Sequence, residues 1–145
     1  MANMYPSKMA SGGGGSGSFT TLWTNATPTS SLISQTIYTG TNLTKMSYIK
    51  FNFYKNTDND SESSVIIRGS DFSNYTKVSS QTSSTAVGFV LTLTYRDGAN
   101  YYTREIRRGT TGTGNLRVYD GIKYTSSGGV VENSYCILKS IEGMS

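Results

Sequence analysis

Tyr48-Ile49-Lys50-Phe51-Asn52-Phe53-Tyr54 decides the fold class. Ile49, Phe51 and Phe53 recur at every second position, with Lys50 and Asn52 between them. A β-strand sends successive side chains to opposite faces, so this period of two marks a strand with one buried face. The same signature recurs outward in both directions. Residues 19–23 alternate bulky and polar up to Trp23, and residues 35–38 form a short strand. Residues 64–68 read as a short, continuous apolar strand, and 75–79 as a weaker one. Residues 86–95 place Phe89, Leu91, Leu93 and Tyr95 on one side, with Val90, Thr92 and Thr94 on the other. Their expected partner is 101–107, across the turn Asp97-Gly98-Ala99-Asn100. Residues 115–119 and 122–125 flank Asp120-Gly121, the dipeptide of a tight type I′ hairpin. Residues 130–131 and 135–141 close the series.

About nine or ten short strands with turn signals every ~8–12 residues fit a sandwich or barrel. The expectation is one all-β domain, an antiparallel β-sandwich of jelly-roll-like form, with helices limited to a turn or two. No internal repeat is evident, which argues against a solenoid or propeller.

Composition agrees. The chain has 145 residues, and Ser, Thr, Asn and Gly supply 68 of them, while charged residues are only 15%. Aromatic residues still reach 12%, with 11 Tyr, unlike a disordered polymer. Three zones follow: a short arm at 1–10, the Gly/Ser linker Ser11-Gly12-Gly13-Gly14-Gly15-Ser16-Gly17-Ser18, and a β-sandwich at 19–145. Met4, Tyr5 and Met9 are the apolar anchors that the arm offers to a partner. Residues 1–18 contain no apolar core of signal-peptide length, so synthesis in a bacterial cytoplasm without secretion is expected.

Several chemistries are excluded. The chain has no His, which removes the commonest general base and transition-metal ligand. Its one cysteine, Cys136, allows neither an intrachain disulfide nor a thiolate zinc site. Cys136 lies in the apolar run Tyr135-Cys136-Ile137-Leu138 and reads as a buried small hydrophobe. Membrane insertion is not expected, since no apolar stretch approaches ~20 residues. Arg104-Glu105-Ile106-Arg107-Arg108 is the densest basic cluster. On a strand its charges divide between two faces, so it reads as a solvated strand with charged gatekeepers, not a nucleic-acid interface.

Asp58, Asp60 and Glu62 alternate along one turn and are weak candidates for a hard cation such as calcium. The helix–loop–helix template fails, because Ser63 and Gly69 stand where Gly and the closing acid are required. No carboxylate pair stands out as catalytic, no cofactor is expected, and the protein reads as a non-enzyme. The Gly-rich loop 109–115 lacks the Gly-Lys-Ser/Thr ending and following helix of a phosphate loop. Four glycosylation sequons begin at Asn25, Asn42, Asn59 and Asn74, as expected by chance in so Thr-rich a chain. Tyrosine and tryptophan faces can stack on sugar rings. Trp23 and Tyr75 are in that pool, and Tyr54, Tyr101, Tyr102, Tyr119 and Tyr124 are the chosen ligand-binding candidates. Adjacent Tyr101 and Tyr102 must point to opposite sheet faces.

Leu22-Trp23-Thr24-Asn25-Ala26-Thr27-Pro28-Thr29-Ser30-Ser31, followed by Gln35-Thr36-Ile37, resembles the start of small β-rich structural proteins of bacteriophages and prophages. The strand at 48–53 and the ending Ile137-Leu138-Lys139-Ser140-Ile141-Glu142-Gly143 are similar to later segments of that family. The resemblance implies location in a virion and no defined chemistry, and it carries over no functional residue. It suggests a surface attachment module at a tail tip or fibre, where host recognition takes place. The alternatives are a head fibre or capsid decoration protein, or a free lectin-like carbohydrate-binding module. Expected partners are further copies of the chain as a homotrimer, another virion protein through the arm, and a host-surface glycan.

Overall fold

The alternating segment around Phe51 forms β3 (Tyr48–Asn56) in a four-stranded antiparallel sheet. Its spatial order is β1 (Thr20–Thr24), β12 (Tyr135–Met144), β3 and β4 (Glu62–Arg68). The computed structural model describes residues 17–72, 76–77, 86–87, 90–108 and 114–145. Met4, Tyr5, Met9, Tyr75, Phe89 and residues 109–113 of the Gly-rich loop lie outside these. Ile49, Phe51 and Phe53 point into the core, as their spacing requires. Lys50 and Asn52 occupy the opposite face, but Asn52 is only 4% exposed. Its amide nitrogen donates to Ser140 Oγ at 3.0 Å and to the Glu142 carboxylate, while its oxygen accepts from Ser64 Oγ at 2.6 Å. A polar ladder thus crosses β4, β3 and β12, which satisfies the buried amide.

The second sheet is built on β8 (Asn100–Arg108). One edge of β8 pairs with β7 (Val90–Asp97) along its whole length. Asp97 opposes Asn100, so the expected turn is a two-residue hairpin loop. Gly98 has φ 61 while Ala99 stays at negative φ, the pattern of a type II′ turn. The strand expected at 86–95 is divided: β6 (Ala86–Val87) pairs instead with β5 (Thr76–Lys77) in a small ribbon.

The other edge of β8 corrects the expectation for Asp120-Gly121. β9 (Asn115–Val118) and β10 (Ile122–Thr125) do not form a hairpin with each other. Both pair antiparallel with β8, end to end, Val118 with Ile106 and Ile122 with Thr103. Between those pairs β8 advances three residues and the other strand four. Residues 119–121 therefore form a β-bulge with one extra residue. Outside them lie β2 (Gln35–Tyr38), which pairs with β9, and β11 (Gly128–Val131), which pairs with β10. The molecule is an all-β, sandwich-like fold. Its shared core joins Phe51, Ile137, Leu138 and Ile141 of the first sheet to Leu93, Ile106, Leu116 and Ile37 of the second. Helical structure among the described residues is a 3₁₀ turn at Leu43–Lys45 and one α-turn at Gly69–Phe72.

Arg104 overturns the reading of its cluster as a solvated strand. Its side chain is fully buried, on the same face of β8 as Tyr102 and Ile106. Among the described residues no carboxylate contacts it directly. Nε donates to Cys136 O at 3.2 Å. Nη1 donates to Leu32 O at 2.6 Å, to Tyr119 O at 3.0 Å and to Asn133 Oδ1 at 3.0 Å. Nη2 donates to Asn133 O at 3.2 Å and to Tyr135 O at 3.0 Å. These acceptors engage all five guanidinium N–H groups. Burial lowers the Arg104 pKa to about 10, with Cys136 and Asp120 acting in the opposite direction, so the group remains charged at neutral pH.

Local backbone geometry makes this arrangement possible. The carbonyls of consecutive strand residues normally point to opposite sides. Cys136 has φ 52, which breaks the alternation and lets the Tyr135 and Cys136 carbonyls converge on one cation. A left-handed conformation at a non-glycine residue costs about 1–2 kcal/mol, and the hydrogen bonds offset it. Gly121 supplies the space. A Cβ there would lie 2.3 Å from Glu132 O and 3.2 Å from the guanidinium carbon.

Two predictions follow from this buried centre. Arg104→Met should destabilise the fold by about 3 kcal/mol or more, because it orphans several buried carbonyls. Arg104→Lys, with three donors and no fork, should fall between Met and wild type, as read from urea midpoints. The second concerns Cys136, which is fully buried as expected. Burial pushes its thiol pKa up from 9.0 to about 11, against the lowering influence of Arg104. The unfolded chain releases this proton at lower pH than the folded one. The resulting stability is full below pH 9 and is lost as pH rises through 11, on the order of 2 kcal/mol. Cys136→Ser should lose less stability than wild type across that window in alkaline urea titrations. Equal losses would contradict the assignment.

Candidate functional site

A regular strand would place residues 119 and 124 on opposite faces, since they are an odd number of positions apart. The extra residue in the 119–121 bulge removes that opposition. Leu116 and Val118 of β9 point into the core, and past the bulge Ile122 and Tyr124 of β10 share the outer face with Tyr119. Tyr101, Thr103 and Glu105 of β8 project to the same side, because Tyr102, Arg104 and Ile106 project to the other. Together they line an open cleft of about 540 Å³. That volume lies within the range of small-ligand sites. Thr92 of β7, Val131 of β11 and Ser34 ahead of β2 complete its rim.

The cleft has an aromatic side and a polar side. On the aromatic side Tyr101 and Tyr124 oppose each other across β8 and β10. Their rings stack with centroids 4.9 Å apart and planes 20° apart. Gly129 on β11 lies opposite Tyr124, and a Cβ there would come within 3.0 Å of the ring. The missing side chain lets the ring lie across the strand. Arg96 sits 5.1 Å from the Tyr101 ring centroid. On the polar side Arg107 lies 5.1 Å from the Tyr119 ring centroid and donates to Glu105 Oε1 at 2.7 Å. Asp120 Oδ1 accepts from Ser34 N at 2.9 Å and from Asn133 Nδ2 at 3.2 Å. Asn133 then accepts from Arg104 and from Gly121 N, so the cleft wall is tied to the buried cation. Tyr119 and Tyr124 are each 37% exposed.

Three of the five tyrosine candidates therefore converge: Tyr101, Tyr119 and Tyr124. Tyr102 does not belong with them. It is buried between the sheets, stacked on Tyr135 at 3.7 Å, because its neighbour Tyr101 takes the outer face. Hydrogen bonding to Tyr102 raises the Tyr135 pKa. Tyr54 is half-buried on the first sheet, with Lys139 5.6 Å from its ring centroid. Trp23 is half-buried against the core. Sequence reasoning missed Glu105 and Asp120 as parts of this cleft. For Glu105, its alternation with the inward-facing Arg104 and Ile106 was the available signal; for Asp120 there was none.

The weak metal candidates do not converge. Asp60 pairs with Lys55 at 3.5 Å and Glu62 with Lys139 at 2.9 Å, which raises the pKa of both lysines. Asp58 is exposed in the turn, and its backbone N–H donates to Asn56 Oδ1. No group of three metal-ligating side chains occurs among the described residues. The Asn25 amide, at the first sequon, is turned inward and donates to Leu138 O at 3.0 Å. Its oxygen accepts from Thr27 N, which shapes the bend before Pro28. No helix among the described residues is long and apolar enough to cross a membrane. Compared with protein-family models, curated proteins and solved structures, the chain matches none.

Millimolar calcium should leave the melting temperature unchanged, since Asp60 and Glu62 are already neutralised by lysines. A rise of several degrees in calcium, reversed by chelator, would show that these carboxylates rearrange around an ion.

Proposed function

We propose that the protein is a non-enzymatic structural protein of a bacteriophage virion, acting in surface attachment at a tail tip or fibre. The observation that carries this reading is the cleft on the outer sheet face. Its stacked Tyr101 and Tyr124 offer an apolar platform, and hydroxyl and carboxylate oxygens face the same space. Such a pairing of ring faces with polar groups suits a sugar, whose C–H face is apolar and whose rim is hydroxylated. The absence of His and the resemblance of residues 22–37 to phage structural proteins support a binding role over a catalytic one. The arm at 1–10 and its Gly/Ser linker suit attachment to another virion protein. Several heads so anchored would gain avidity of ~10²–10⁴ over one site.

A second reading has its own support. β2 and β11 lie end to end along one edge of the second sheet and contain no charged residue. Tyr38, Val130 and Val131 are exposed there, at 69%, 60% and 61%. Sheet edges left to solvent usually carry charge or proline. An uncharged edge favours packing against further copies of the chain, as in a homotrimer, and suits a head fibre or capsid decoration protein equally well.

Binding of the purified protein to host cell-wall glycan distinguishes these readings. Tyr124→Ala and Tyr101→Ala should each weaken it about tenfold, the equivalent of ~1.4 kcal/mol, and the wild type in excess should block infection. Capsid binding without glycan binding would favour decoration. Glycan binding by a protein absent from virions would favour a free lectin-like module.

A further inference from the structure

We propose that the cleft selects uncharged sugars and discriminates against acidic ones, an inference that rests on the glycan reading above. The two ionised side chains lining it, Glu105 and Asp120, are both hydrogen-bond acceptors. Each has one oxygen engaged by the protein. Glu105 Oε1 accepts from Arg107, and Asp120 Oδ1 accepts from Ser34 N and Asn133 Nδ2. Among the described residues, Glu105 Oε2 and Asp120 Oδ2 have no protein partner. They remain open to the hydroxyl protons of a ligand in the cleft, as charge-assisted hydrogen bonds.

The nearby cations each contact protein groups outside the space of the cleft or at its wall. Arg96 lies against the Tyr101 ring, and Arg107 is held by Glu105 and Tyr119. Arg117 donates to Ser34 Oγ at 2.8 Å and to Thr36 Oγ1 at 3.2 Å. None of the three lines the cleft. A uronate, sialate or phosphate group entering it would face two carboxylates and, among the described residues, no cation lining the cleft. Unpaired like charge at close range is how a site rejects a ligand of otherwise suitable shape. A neutral pyranose brings hydroxyl donors and no negative charge to those carboxylates, and lays its C–H face on Tyr124.

The test uses the full-length protein on an array of bacterial-type oligosaccharides containing matched pairs, a neutral hexose unit and its uronic acid. Wild type should bind the neutral member at least tenfold more tightly, and Tyr124→Ala should weaken that binding about tenfold. Glu105→Gln should narrow the neutral-to-acidic gap several-fold. It removes one repelling charge while keeping the size of the side chain. Circular dichroism confirms that each variant is folded. Tyr124-dependent binding that favours the acidic members would overturn the selectivity and leave the glycan reading standing. Binding to no member, or binding insensitive to both Tyr124→Ala and Tyr101→Ala, would overturn both.

Discussion

A guanidinium buried without a direct carboxylate partner organises this fold. Removing such a cation from water costs several kcal/mol, even after the protein relaxes. The six hydrogen bonds made by Arg104 offset that cost with oxygens from four places: Leu32 before β2, Tyr119 in the bulge, Asn133 between β11 and β12, and the start of β12. Arg suits the role better than Lys, because its planar fork reaches several directions at once. Two unusual backbone features serve the same centre. Cys136 takes a left-handed conformation to turn its carbonyl inward, and Gly121 leaves out the Cβ that would collide with Glu132 O.

The candidate cleft depends on the same construction. The extra residue at 119–121 turns the Tyr119 carbonyl towards Arg104 and keeps the Tyr119 ring on the outer face with Tyr124. Asp120 lines the cleft with its carboxylate and reaches Arg104 through Asn133. Core and surface are therefore coupled through a few covalently adjacent residues.

Much of the fold was legible from alternation alone. The phase of residues 48–54 placed Ile49, Phe51 and Phe53 correctly, and the segment around Gly98 gave a hairpin. The Asp-Gly at 120–121 misled because the same small, turn-prone residues serve both hairpins and bulges. Only the nine-residue length of β8, shared by β9 and β10, separates the two outcomes. At Arg104 charge and phase point in opposite directions, and phase prevails. Tyr102, Arg104 and Ile106 share a face, and the apolar pair was the stronger signal. In the cleft, the opposition of Tyr101 and Tyr102 was readable from adjacency, although not which of them faces out. The meeting of Tyr101, Tyr119 and Tyr124 was not readable, since it depends on one inserted residue and on pairings between distant segments.

Native-state hydrogen exchange tests the central claim most directly. The amides of Leu32, Gly121 and Glu132 donate to Asn133 O, Asn133 Oδ1 and Gly121 O, all in loops gathered around Arg104. If the buried guanidinium locks these loops into the sandwich, the three amides should exchange only through global unfolding, with the protection of Ile106 and Ile141 in the core strands. Exchange orders of magnitude faster than at those strands would mean that the loops open on their own. The buried cation would then not be what holds the two sheets and the cleft together.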